Sequence, residues 1–283
     1  MCAILGGADS VSVAPFDECF KEPDEPSRRL ARNTQLLLKH EASLGRVIDP
    51  GGGAYYLESL TDDLARQSWK KMQEIEAHGG YRKAHAEGLI AQALEGSRVG
   101  REAAVEKRRR VFIGTNQFAN PAEQALERVD VSRINGIRRG PRAYEELRLR
   151  TEWHTAETGK TPRVLLAEIG DARMRSLRSN FALNFFACAG FTITSKRFKN
   201  AAAIAAAEAD LIVLCSSDAE YARIAARLMP KLKALGRLTP VIVAGNPENA
   251  EKLRAAGIAD FVHVRTNPVE VLKQWQERLG ARN

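Results

Sequence analysis

From residue 161 onward, short apolar runs alternate with longer stretches of helical periodicity. The runs Arg163–Ile169, Phe191–Thr194, Asp210–Cys215, Pro240–Ala244 and Asp260–Val264 read as strands buried on both faces. Helices are expected between and after them, at Arg173–Ala189, Ala201–Glu208, Ala219–Leu235, Glu248–Ala256 and Pro268–Leu279. Asn246-Pro247 can open a helix, because proline is tolerated in a first turn, while Gly190, Gly236 and Gly257 stand where helices stop. Each strand–helix–strand step is long enough for a right-handed crossover. Five alternations predict an α/β domain over 161–283, a doubly wound five-stranded parallel sheet of flavodoxin-like order.

Residues 1–128 carry a different pattern. Only Ser10–Ala14 and Arg110–Gly114 read as strands, among helical stretches at Ser27–Leu44, Leu60–His78, Tyr81–Glu95 and Arg98–Lys107. Leu60, Leu64, Trp69, Met72 and Ile75 recur at spacings of three to five and predict one buried stripe. Thr61-Asp62-Asp63 would place acids in that helix's first turn, favourable to its dipole. Two strands make no self-sufficient sheet, so this region is expected to be part of something larger. Residues 129–160, charged and broken by Gly136, Gly140 and Pro141, read as an interdomain connector with a short helix at Arg142–Trp153.

Composition narrows the classes. The chain has 283 residues, 44% hydrophobic and 28% charged, with no run near the roughly 20 apolar residues of a membrane span. The first residues, MCAILGGADSVSVAP, lack a secretory signal, so a cytoplasmic location is expected. Cys2, Cys19, Cys188 and Cys215 form no CxxC pair, and the five histidines form no ligand motif, so no metal site is expected. The net charge of +8 raises nucleic acid as a partner, but the arginines of Lys107–Arg110 and Arg128–Arg150 have no interleaved aromatics. They read instead as a solvated face that could dock an acidic surface.

In such a sheet a ligand meets the carboxyl ends of the strands, here the junction after Gly170. That loop offers Asp171, Ala172, Arg173 and Met174, with no imidazole, thiolate or glycine-rich cradle.

Several strings in the first region are distinctive: Phe16-Asp17-Glu18, ARNTQ at Ala31–Gln35, His40-Glu41, DPGGGAYYLESLT at Asp49–Thr61, and GTNQF at Gly114–Phe118. In this order and separation they resemble the last quarter of the catalytic barrel of the methylmalonyl-CoA mutase family. The resemblance implies a (β/α)₈ barrel fragment over 1–128, followed by a flavodoxin-like cobalamin domain. It also implies a radical rearrangement between methylmalonyl-CoA and succinyl-CoA that uses adenosylcobalamin, with the protein positioning and shielding reactive species.

Two departures qualify this. The family's Asp-x-His-x-x-Gly loop supplies the lower cobalt ligand and its carboxylate partner; aligned on Gly170, these positions hold Ala172, Met174 and Leu177. The signature after the third strand becomes Cys215-Ser216-Ser217-Asp218, and the paired glycines after the fourth become Ala244-Gly245. Ala172, Met174, Leu177, Ser216 and Gly245 are therefore vestigial positions, and no cobalamin is expected on this chain. Most barrel strands are also missing, as in a truncated product, a misplaced start or a split subunit. The resemblance is thus nearest to the small, non-catalytic subunit, inactive alone and paired as a heterodimer with a large subunit that carries adenosylcobalamin. Two alternatives stand beside it: an adenosylcobalamin-dependent acyl-CoA mutase completed by another chain, and a stand-alone flavodoxin-like adaptor.

Other residues read as structural. Asp49–Gly53 lacks a P-loop lysine and is expected to be a turn with no helix directly after it. Tyr55 and Tyr56 read as packing residues, His40-Glu41 as a helix end, and Asp17 and Glu18 as salt-bridging. No catalytic residue is assigned.

Overall fold

The first region is helical. A computed structural model describes residues 1–125, 129–130, 132–133 and 139–281, so parts of the connector, including Gly136, lie outside the described residues. The chain divides into two units, residues 1–99 with 128–137 and residues 100–127 with 138–283. The first contains α1 (Cys2–Leu5), α2 (Glu25–His40), α3 (Tyr55–Ala77) and α4 (Tyr81–Ala86); the division falls within α5 (Leu89–Glu106). Asp24 caps α2, its Oδ1 accepting from Ser27 N at 2.9 Å, and Pro26 occupies the first turn.

Neither expected strand of this region forms. Residues 10–14 are non-helical but have no strand to pair with among the described residues; with its amide suitably oriented, Gln35 donates to Val11 O and accepts from Val13 N, both at 3.2 Å. At 110–114 only an isolated bridge joins Ile113 to Gln117. The buried Asn116 organises that loop in the second unit, its Oδ1 accepting from Phe112 N at 2.7 Å. Its Nδ2 donates to Val105 O and Arg110 O at 3.2 and 2.9 Å.

The helix expected from Leu60 begins at Tyr55, so Thr61-Asp62-Asp63 lie beyond its first turn. Thr61 Oγ1 donates to Leu57 O at 2.8 Å, and Asp62 pairs with Arg66. The expected buried stripe is also corrected. No residue of α3 is buried, and Leu60, Leu64, Trp69 and Met72 are exposed, because nothing among the described residues covers that face.

The second unit bears out the alternating pattern. Strands β1 (Arg163–Glu168), β2 (Thr192–Arg197), β3 (Leu211–Cys215), β4 (Val241–Ala244) and β5 (Asp260–Val262) form one all-parallel sheet ordered β2-β1-β3-β4-β5. Val164 lies opposite Ile193 and Leu211, and Ile212 opposite Val241. Every residue of β3 and β4 is buried, as central parallel strands require. The edge strand β2 is polar, and its Lys196 and Arg197 discourage further pairing.

Helices cover both faces. α6 (Arg142–Thr158), α7 (Ala172–Ala187) and α11 (Pro268–Arg278) bury Tyr144, Leu147, Phe185, Phe186 and Trp275 on one. α8 (Ala201–Ala206), α9 (Tyr221–Ala234) and α10 (Ala250–Ala255) bury Ile204, Ile224, Leu228 and Leu253 on the other. Helix α6 was expected to be short and part of a connector. It runs to Thr158, and the fully buried Gln276 of α11 donates to Leu147 O and Thr151 Oγ1 at 2.5 and 2.8 Å.

Several arginines of the expected solvated face are internal staples. Arg108 donates to Asn184 O at 2.8 Å and lies over Phe185, and Arg148 donates to Asn120 O and Glu123 O at 2.5 and 2.6 Å. Cys188 and Cys215 are buried free thiols.

Candidate functional site

Strand order reverses between β1 and β3, and the crevice outside their carboxyl ends is where such a sheet receives ligands. After β1 the chain turns at Gly170 (φ +83°), and Asp171 caps α7 by accepting from Met174 N at 2.8 Å. After β3, Ser216 and Ser217 lead into α9, immediately preceded by Glu220. The Glu220 side chain returns into the crevice, where its Oε2 accepts from Asp171 N at 2.9 Å and from Ser216 Oγ and Ser217 Oγ at 2.8 Å each. Its other oxygen meets Arg223 at 3.3 Å.

These donors favour the ionised carboxylate over its protonated form. The backbone N–H of Asp171, then the serine hydroxyls, hold the Glu220 pKa down at about 2, against a smaller opposing effect of burial. The fit is close: a Cβ on Gly170 would overlap the Glu220 carboxylate.

A second group occupies the β3–β4 side. Arg178 of α7 donates to both Asp218 oxygens, at 3.0 and 3.3 Å. The buried Tyr221 accepts from Ser216 N at 3.1 Å and donates to Ala244 O at 2.7 Å. Burial pushes its phenol well above the ordinary range. A Cβ on Gly245 would come within 2.9 Å of Asp218 Oδ1 and 3.3 Å of Tyr221. His263, following β5, accepts from Arg265 N at 3.2 Å; burial, then the positive charges of Arg265 and Arg178, hold its pKa down. The crevice is thus packed with the chain's own side chains.

The sequence-selected positions divide here. Ser216 and Gly245 both border Tyr221 and are buried, whereas Met174 is half-buried, Ala172 is exposed on the first turn of α7, and Leu177 is 54% exposed. Glu220, Arg178 and Asp218 were not singled out as a cluster. One local signal was available: Ser217-x-x-Glu220 has the spacing of a capping box.

In the first unit, Asp17 is buried and pairs with Lys21 at 3.3 Å, while Glu18 is exposed. His40 ends α2. Tyr55 is 93% exposed rather than packed. The Asp49–Gly53 turn runs almost directly into α3, contrary to expectation, because Glu58 reaches back to accept from Gly53 N at 3.0 Å.

Residues 1–161 match the family described as methylmalonyl-CoA mutase. The chain belongs to the methylmalonyl-CoA mutase family. It is 39% identical over its whole length to the methylmalonyl-CoA mutase small subunit of Porphyromonas gingivalis, covering 47% of that protein. It is 36% identical over 98% of its length to the corresponding small subunit of Streptomyces virginiae, covering 45% of it. The methylmalonyl-CoA mutase of Rhizobium meliloti is 42% identical over 45% of the chain, which is 18% of that protein. The chain thus spans about half the length of the small subunits it matches. Membership in this mutase family implies adenosylcobalamin as the cofactor of the reaction. Among the described residues, no helix is long and apolar enough to cross a membrane.

Proposed function

We propose that this chain forms part of the small, non-catalytic subunit of a methylmalonyl-CoA mutase. Its role is to associate with a large subunit that binds adenosylcobalamin and interconverts methylmalonyl-CoA and succinyl-CoA. On this reading residues 1–128 correspond to the carboxyl-terminal part of a barrel, 129–160 to the passage between domains, whose helix α6 packs onto the second unit, and 161–283 to a cobalamin domain that has lost its cofactor.

The observation that carries this reading is the filled crevice. The β1–α7 loop has no imidazole, and Met174 offers a thioether in its place. The space at the β1/β3 reversal holds the Glu220 carboxylate, and the β3–β4 side holds Arg178, Asp218 and Tyr221. These residues do not fit adenosylcobalamin. The small-subunit relatives that match nearly the whole chain support the role, and the exposed apolar side chains of α3 offer a face for a partner to cover.

The test is to incubate the purified chain, and separately its co-purified complex with a large mutase subunit, with adenosylcobalamin and then desalt. The expected result is corrin absorbance in the complex and none with the chain alone. Stoichiometric corrin retained by this chain alone would reverse the assignment.

A further inference from the structure

Beside the filled crevice, bordered by α8 and α9, the second unit contains a cavity of about 530 Å³. Ile169 of the β1–α7 loop and Ile224 of α9 give it an apolar floor, and Lys199, Arg223, Arg227 and Lys231 contribute four cations to its wall. Among the described residues, no acidic one lines it.

The three cations of α9 recur every four residues and so stack along one helix face, spanning about 12 Å at the usual rise. Lys199 approaches from the turn before α8. Glu220 holds Arg223 at 3.3 Å, whereas Lys199, Arg227 and Lys231 have no ion-pair partner among the described residues.

Like charges gathered around a concave, partly apolar surface raise the local potential and favour an anion. The volume is that of a small-molecule site, and the carboxyl edge of a parallel sheet is where such sites form. A run of cations this long matches more than one phosphate, and the isoleucine floor suits a ring or aliphatic group.

We propose that this cavity binds a small molecule bearing at least two phosphate groups joined to an apolar moiety. Lys199, Arg227 and Lys231 contact the phosphates, and Ile169 and Ile224 underlie the remainder. The inference is independent of the subunit role, because the cavity adjoins the filled crevice without requiring it to open.

The probes are ADP and hexaglutamate, each titrated calorimetrically into the full chain. ADP is expected to bind, more weakly as sodium chloride is raised. Arg227→Gln and Lys231→Gln should each weaken binding about tenfold, as loss of a charge-assisted contact does. Lys252→Gln on α10, outside the cavity, should leave it unchanged. In the wild-type chain, ADP should also protect Lys199 and Lys231, but not Lys252, from acetylation read by mass spectrometry, a measurement that needs no variant to fold. Absence of ADP binding at millimolar concentration, or equal loss in Lys252→Gln, overturns the proposal. So does hexaglutamate binding in place of ADP, which would make the surface a dock for acidic protein.

Discussion

Replacing Glu220 by glutamine keeps the shape of the side chain that fills the crevice but removes its charge. The wild-type carboxylate accepts from one backbone N–H and two serine hydroxyls. Its pKa falls from the ordinary 4.5 to about 2. By linkage that fall corresponds to roughly 3 kcal/mol, which screening of a side chain 23% exposed reduces to about 1–2 kcal/mol. Because the folded pKa is depressed, the contribution is present above pH 4.5 and is lost as pH falls through about 2. Urea unfolding, read by tryptophan fluorescence, to which the buried Trp275 contributes the largest change of environment, should show Glu220→Gln about 1–2 kcal/mol less stable at pH 7. The two curves should converge near pH 2. Serine hydroxyls can rotate to donate to the amide oxygen, which holds the loss to this range. Equal stability at pH 7, or a gap that persists undiminished at pH 2, would show that the charge does not hold the crevice together.

Two further substitutions probe the same unit. Gly170→Ala imposes both a left-handed backbone and an overlap with Glu220, so a loss of about 1–3 kcal/mol in thermal unfolding is expected. Part of that loss should disappear in a Glu220→Ala background, and strict additivity would refute the overlap. Asn116→Ala leaves three backbone groups around one buried side chain without their partner and should cost about 1–3 kcal/mol; a loss under half a kcal/mol would show that water replaces the amide.

The sheet was legible because each central strand is a short, continuous apolar run, and runs such as Leu211–Cys215 admit no other element of that length. Gly170 and Gly257 marked real turns, with φ of +83° and +103°. The first region was less legible for a related reason. Its Ser10–Ala14 segment has strand composition, but a strand exists only with a neighbour, and local sequence does not supply one. The α3 stripe likewise has the periodicity of a buried face, but periodicity reports a preference and not the presence of a cover. At the crevice, the missing imidazole was visible in the sequence. Glu220 was signalled only by its spacing from Ser217, because it lies 49 residues from Asp171 and meets its N–H only when β1 and β3 become neighbours.

The place taken by Glu220 bears on whether cobalamin chemistry could be installed here. On the proposed reading, Met174→His would place an imidazole beside a crevice where the Asp171 amide and two serines already serve Glu220 and Arg178 is already paired with Asp218. Several of those bonds would have to be broken together before an entering corrin found room. If the proposed function holds, an imidazole at position 174 is not by itself enough to make this crevice a corrin site.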